Sequence, residues 1–220
     1  MDSKTLFLDV IKGEFAPYLR AQGFKGSGQN FYRISADLVH VINLQASKYG
    51  DGFAVNLAIH PLGMKVENSM SHPEPKKLKE YECLFRTRLS KPTETDRWWK
   101  HRGFLKSPER AARSLIQLYK RYGESYFSAY SDAEALLGLF DVDALRMEKY
   151  INIGGQDMRN GRAALVGAWL AEHLGDFSRV AELASLAEAN KWKQWSYSSE
   201  VERLNLIAQQ GGAAKTDPQA

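Results

Sequence analysis

Two arginines that are two positions apart, Arg86 and Arg88, are the first candidates for chemistry in this chain. In an extended strand, residues two positions apart point to the same side of the backbone, so both guanidinium groups face one way. A guanidinium group is a planar fork of hydrogen-bond donors that matches a carboxylate or a phosphate. The spacing therefore indicates a pair that could grip an anionic group on a ligand or a partner.

The same arginines also fit a structural role. Glu80, Glu82 and Glu94 are close in the sequence and could form ion pairs with them on a solvated face of a sheet. Trp98 could instead hold one arginine through a cation–π contact. The residues alone leave these alternatives open.

Two stretches that precede the arginines alternate between apolar and polar residues, as half-buried strands do. In residues 37–47, Gln45 falls on the more polar side. In residues 53–60, Asn56 and His60 fall on that side. A short turn that contains glycine joins the two stretches, which predicts an antiparallel hairpin.

A third alternating stretch, residues 80–89, carries the arginines, and residues 30–34 can add a short strand to the predicted sheet. If the three stretches pair in register, their polar residues emerge on one face, and their apolar residues face a helical layer on the other. The apolar side holds Phe53, Val55, Leu57, Ile59, Cys83 and Phe85. The polar side holds Asn43, Gln45, Asn56, His60, Arg86 and Arg88.

Adjacent tryptophans, Trp98 and Trp99, lie between Arg97 and Lys100. Their side chains must diverge, so we expect one to cover the sheet edge and the other to reach solvent or a partner. Exposed aromatic residues beside arginines are typical of interface hot spots, and they also stack on bases in nucleic-acid grooves. A tryptophan that closes the core is the structural alternative. The candidate binding residues are therefore Gln45, Asn56, His60, Arg86, Arg88, Trp98 and Trp99.

The sequence lacks the motifs of well-known catalysts and metal sites. It contains no GxSxG, P-loop, HExxH or paired CxxC, and its histidines lack the spacing of metal ligands. We therefore assign no catalytic residue, no metal ligand and no cofactor. An enzyme site around His60, Arg86 and Arg88 is the alternative, if the fold assembles one. The lone Cys83 is expected to be a small buried hydrophobe.

Positive charge is concentrated in the middle of the chain. The whole sequence holds 30 basic and 26 acidic residues, whereas residues 61–125 hold 15 basic and 8 acidic ones. Such a block could bind a polyanion such as nucleic acid, with an affinity that falls steeply as salt rises. The plainer interpretation is that Lys76, Lys77 and Lys79 are solvated charges beside a loop.

The sequence also bears on location and assembly. It has one cysteine, no secretory signal and no apolar run that could span a membrane. We therefore expect a cytoplasmic protein without a membrane partner. The oligomeric state stays open, because the alanine-rich helices predicted at residues 162–174 and 177–189 could associate with a second copy.

The surrounding elements predict an α+β fold, in which an N-terminal helix packs on an antiparallel sheet of about four strands and an all-helical C-terminal part follows. Pro17 lacks an amide hydrogen, so the first helix is expected to kink or restart near Ala16. The predicted domains are an α+β domain over residues 1–125, a helical extension with one tetratricopeptide-like helix pair over 126–210, and a disordered tail over 211–220.

An ordered set of short motifs runs through the first half of the chain. In order they are Gly23-Phe24-Lys25, Asn30-Phe31-Tyr32-Arg33, Val41-Ile42-Asn43-Leu44-Gln45, Phe53-Ala54-Val55-Asn56-Leu57, Arg86-Thr87-Arg88-Leu89 and Trp98-Trp99. The set resembles the bacterial domain-of-unknown-function family 4304 over roughly residues 3–125. That family has no established activity, so the resemblance implies a fold and little chemistry. By analogy with small bacterial immunity proteins, we expect a non-catalytic module that binds a protein partner.

Overall fold

The computed structural model divides the chain into two compact units, Met1–Ser131 and Asp132–Ala220, and each unit is described by itself. The first unit extends slightly beyond the predicted domain of residues 1–125. The described residues are 3–49, 52–66, 72–94, 96–100, 107–153, 156–190 and 197–214.

The first unit begins with helix α1, Ser3–Ala21, which contains Pro17 in its interior. The predicted restart near Ala16 does not occur. A proline inside a helix removes one backbone hydrogen bond, and the turns on either side can keep theirs. Phe15 and Leu19 lie fully buried on the same helix, so packing of this face holds the last turns in place.

Six strands form one antiparallel sheet in the described part of the first unit. They are β1 Lys25–Ser27, β2 Asn30–Ser35, β3 Leu38–Ala46, β4 Gly52–Pro61, β5 Phe85–Arg88 and β6 Trp99–Lys100. They pair in the order β1-β2-β3-β4-β5, and β6 also pairs with β4. The predicted architecture of helix, antiparallel sheet and helices is confirmed. The prediction of about four strands missed β1 and β6, because two or three residues are too few to show alternation.

The two faces of the sheet carry the sets of side chains that the alternation predicts. We call the side that holds Phe53, Val55, Leu57, Ile59 and Phe85 the core face, and all five of these residues are fully buried. Aromatic rings from the following helical segment pack beneath it. Phe127 stacks on His40 of β3 with ring centroids 4.4 Å apart, and Tyr119 meets Phe24 edge-on at 6.4 Å.

Tyr119 and Phe127 belong to a helical segment that follows the sheet. Helix α2 is Pro108–Leu118, a π-helical turn covers Tyr119–Gly123, and helix α3 is Glu124–Ser128. Ser107 caps the start of α2, since its side chain accepts a hydrogen bond from the backbone N–H of Arg110.

The opposite side, the outer face, is only partly open. Residues 64–66 and 72–83, which we call the covering segment, lie over it and bury Val66 and Leu78 against Val39, Val41 and Ala58 of the sheet. Cys83 packs against this same cluster. The prediction that Cys83 faces the helical layer is therefore wrong: a 3-10 turn at Glu80–Glu82 replaces the first part of the predicted strand and changes the direction of the residues that follow.

The second unit is helical, with one added hairpin that the sequence analysis missed. Its elements are α4 Ala133–Leu137, α5 Val142–Met147, β7 Tyr150–Ile153, β8 Gln156–Arg159, α6 Asn160–Leu174, α7 Phe177–Ala189 and α8 Ser198–Ala214. The predicted helix pair is present as α6 and α7, which Gly175 joins with a left-handed φ of 73°. Helix α8 ends at Ala214, inside the predicted tail, and residues 215–220 lie outside the described part. None of the helices described in either unit is long and apolar enough to cross a membrane.

Candidate binding surface

A row of polar side chains crosses four neighbouring strands on the outer face. Asn30, Asn43, Asn56 and Arg88 stand directly opposite one another from β2 to β5. The amide of Asn43 donates to Oδ1 of Asn30 at 2.8 Å, and the amide of Asn56 donates to Oδ1 of Asn43 at 3.2 Å. Direct cross-strand partners on one face lie within reach of each other, so the register itself assembles this polar row.

Arg88 stands at the end of the polar row and is held from three sides. Its Nη1 donates to Oε1 of Gln45 at 3.2 Å, and its Nε pairs with Oδ1 of Asp96 at 3.0 Å. The guanidinium carbon lies 5.0 Å from the ring centroid of Trp98. The indole N–H of Trp98 donates to the other Asp96 oxygen at 2.8 Å. One carboxylate therefore orients both the arginine and the tryptophan at the surface.

Arg86 lies on the same face, beside Arg88, and is exposed. It stands directly opposite Ala58 of β4. Ala58 is buried under the covering segment, whereas Arg86 is not covered. In the part of the chain that the structure describes, its guanidinium group makes no hydrogen bond or ion pair. The predicted arrangement is thus present in part: Gln45, Arg86, Arg88 and Trp98 share one face, and we call these four residues the contact surface.

Asn56 and His60 are also on the outer face, but each is only 3% exposed. The amide of Asn56 donates to Gln45 and reaches Oε1 of the buried Glu80 at 3.4 Å. The amide of Asn56 therefore tethers the covering segment to the sheet.

Both ring nitrogens of His60 bond to backbone groups, one at the start of the covering segment and one at Leu84, the residue that follows it. Nδ1 accepts from the N–H of Leu84 at 3.2 Å, which leaves Nε2 to donate to the carbonyl of Met64 at 3.1 Å. With both nitrogens occupied, His60 serves as a pin for the segment rather than as a group that faces a ligand. His60 is buried because the covering segment lies over this end of the outer face.

The two tryptophans diverge as predicted. Trp99 on β6 is 1% exposed and stacks on Phe53 with centroids 5.4 Å apart, whereas Trp98 is half-buried on the outer face. Trp99 stands directly opposite Phe53 in the register, and β4 sends Phe53 into the core. Of the two predicted binding residues, only Trp98 is therefore accessible to a partner.

Several basic residues of the middle block form ion pairs with neighbours. Glu74 pairs with both Lys76 and Lys77, and these two ion pairs hold the pKa of its carboxyl down at about 2. Glu94 pairs with Arg97.

Of the histidines considered as metal ligands, His101 lies outside the described residues. Among the residues that are described, no group of three or more histidine, cysteine, aspartate or glutamate side chains could hold a metal ion.

Sequence reasoning missed a second polar network, beneath the core face. Arg33 donates to Nδ1 of His40 at 3.2 Å and to Glu124 at 2.8 Å, and the hydroxyl of Tyr119 donates to the other Glu124 oxygen at 2.8 Å. Burial, followed by the charge of Arg33, lowers the pKa of His40 to about 4. These residues come from separate parts of the chain, so no local spacing could have revealed the network.

Cys83 is expected to react slowly with thiol reagents. Burial raises the pKa of its thiol, the charges of Glu80 and Glu82 raise it further, and Sγ donates to the carbonyl of Lys79 at 3.3 Å. Because the thiolate is the reactive form, we expect dithiobis-nitrobenzoate to modify the native protein about tenfold or more slowly than the urea-unfolded chain. The chain has a single cysteine, so the absorbance change reports Cys83 alone. Equal rates in the two states would contradict this placement.

Comparison with known proteins gives one match. No curated protein and no solved structure matches the chain. The sequence profile of one family matches residues 15–129, which are most of the first unit and include α1 from Phe15 onwards, the sheet and α3. The chain therefore belongs to the family described as Domain of unknown function (DUF4304).

Proposed function

We propose that this protein is a non-catalytic module that binds a protein partner through the contact surface. One observation carries the proposal: Trp98 and Arg88 form a pair at 5.0 Å that Asp96 holds in place at the surface. Tryptophan and arginine dominate the binding energy of protein interfaces. Side chains that are already ordered lose little conformational freedom when a partner arrives, so a pre-organised pair suits this role.

The remaining groups on this face support binding rather than reaction. The backbone bonds of His60 remove the base that an enzyme around Arg86 and Arg88 would need. The ion pairs of Lys76, Lys77 and Arg97 reduce the charge that a polyanion would meet. Binding of a protein partner accounts for an exposed arginine and an aromatic ring that lie together on this face.

The proposal includes a bacterial cytoplasm as the compartment. A single thiol and no disulfide partner suit a reducing environment. An immunity protein is one kind of module that fits, and its partner would then be a toxin. A toxin gene beside this gene in the genome would support that narrower assignment.

Affinity capture with matched variants tests the proposal. The immobilised protein, Trp98→Ala and Arg86→Glu are each incubated with lysate of the native host, and bound proteins are quantified by mass spectrometry. Tyr150→Ala is the matched control, because Tyr150 is also exposed and lies 5.3 Å from an arginine, Arg159, but belongs to the second unit. Arg113→Glu controls for the reversal of an exposed charge.

We expect one protein that the wild type and both controls enrich, and that Trp98→Ala and Arg86→Glu lose. Thermal unfolding of each variant must stay near that of the wild type, since changes to exposed side chains usually alter stability by less than about 0.5 kcal/mol. Enrichment of the same protein by all five samples, or of no protein by the wild type, would refute the proposal.

A further inference from the structure

We propose that the outer edge of β5 receives an extended acidic segment of the partner, which adds an antiparallel strand to the sheet. This inference rests on the proposed function and names the chemistry of the partner. When a strand adds to a sheet edge, main-chain hydrogen bonds supply affinity and side-chain contacts on alternating sides supply selectivity. β5 offers groups for both kinds of contact.

The backbone of β5 turns hydrogen-bonding groups towards its open edge. Among the described residues, β5 pairs only with β4. Leu89, just past its end, donates its N–H to the carbonyl of Val55 at 2.8 Å. Hydrogen-bonded pairs alternate along an antiparallel ladder, so Thr87 and Phe85 also bond inwards to β4. Arg86 and Arg88 therefore direct their N–H and C=O groups to the open edge, where the hydroxyl of Ser90 donates to the carbonyl of Arg88 at 3.4 Å.

Charge at this edge selects an acidic segment. The guanidinium group of Arg86 and the ammonium group of Lys91 are exposed and form no ion pair in the part of the chain that the structure describes. Arg88, two residues from Arg86, points to the same face. An incoming strand with acidic residues at alternate positions would set one carboxylate opposite Arg86 and another opposite Arg88, which already pairs with Asp96. Opposite charges on directly paired residues are favourable, so the selection for an acidic residue rests mainly on Arg86.

The other side of the same edge offers room for apolar side chains. A cavity of about 440 Å³ lies beside β5. Its lining combines Leu57, Thr87, Leu89, Tyr122 and Tyr126 with polar residues such as Arg88, Ser90, Lys91, Glu94 and Ser125. Alternate residues of an added strand would point into it, because successive side chains of a strand face opposite sides. The edge therefore suits a segment in which acidic and small apolar residues alternate.

A synthetic peptide tests this inference directly. The probe is fluorescein-labelled acetyl-(Glu-Val)₃-amide, and its fluorescence anisotropy is measured against the full chain. The opposite-charge control is (Lys-Val)₃. In an antiparallel arrangement, the residues opposite Arg86 and Arg88 bond to β5, and these are the glutamates of the peptide. A version with N-methylated glutamate amides therefore loses these bonds, whereas N-methylated valine amides leave them intact.

We expect saturable binding of the glutamate peptide and of its valine-methylated form. Binding should be lost with the glutamate-methylated form and with (Lys-Val)₃, and Arg86→Glu should weaken it about tenfold or more, unlike Arg113→Glu. Hydrogen exchange of the amides of Arg86 and Arg88 should slow when the peptide binds, whereas exchange at Thr87 should not change.

Two results would overturn the inference. One is equal binding of both methylated forms, which would mean that the backbone edge takes no part. The other is no binding of the glutamate peptide up to about 1 mM, the range of very weak association. If the captured partner still depended on Trp98 in that case, the proposed function would stand, and the arginines would serve to block edge-to-edge pairing. If the peptide binds but no partner is captured, the edge site is supported and the proposed function is refuted.

Discussion

Replacing Trp99 with alanine is expected to lower the free energy of unfolding by about 3–5 kcal/mol, the usual cost of removing a large aromatic side chain from a core. The indole is 1% exposed and stacks on Phe53 at 5.4 Å. It also lies 5.2 Å from the guanidinium carbon of Arg97. Alanine would leave a cavity between β4 and β6 that the surrounding backbone can fill only in part. Urea unfolding followed by circular dichroism measures the loss.

Trp98→Ala is the internal control for this prediction. Trp98 is half-buried and contacts Arg88 and Asp96 at the surface, so its removal should cost far less than the removal of Trp99. Equal losses from the two substitutions would contradict the assignment of one tryptophan to the core and the other to the surface. The distinction matters for binding experiments, because a Trp99 variant that fails to bind would report an unfolded protein.

The protein is expected to lose about 3 kcal/mol of stability from His40 alone as the pH falls from 6.5 to 4. Burial and the charge of Arg33 lower the pKa of His40 to about 4 in the folded protein, from 6.5. Between these values the unfolded chain binds a proton at this residue and the folded protein does not. Stability from the neutral ring is therefore fully present above pH 6.5 and lost as the pH falls towards 4.

His40→Gln isolates this contribution. Glutamine can accept the hydrogen bond that Arg33 donates to Nδ1 of His40, but it does not titrate. Urea unfolding at a series of pH values should give a shallower pH dependence for the variant than for the wild type between pH 4 and 6.5. Parallel curves over that range would show that His40 titrates normally and is not held neutral by its surroundings.

Alternation in the sequence was sufficient to predict the faces of the central strands. Val55 and Leu57 point to the core while Asn56 points away, because a strand with one buried face must alternate in this way. The divergence of Trp98 and Trp99 followed from the same geometry. Which of them is buried did not, since that depends on the pairing of Trp99 with Phe53.

The burial of Asn56 and His60 could not be predicted from their strand. It arises because the covering segment lies over the sheet, and its residues have no periodicity that would reveal this contact. The partner of Arg88 was missed for a related reason. The sequence has several nearby glutamates that could pair with Arg88. In the structure the ion pair forms with Asp96, because the loop after β5 brings Asp96 back to the sheet.

The most direct test of the account is the affinity of the captured partner for two single variants. Isothermal titration measures the affinity of Trp98→Ala and of Tyr150→Ala for the partner. Each variant lacks one aromatic ring beside an arginine, half-buried at Trp98 and exposed at Tyr150. We predict that the loss of Trp98 weakens binding about tenfold or more, as removal of a hot-spot residue does, and that the loss of Tyr150 leaves it unchanged. Equal affinities for the two variants would contradict the claim that this surface binds the partner.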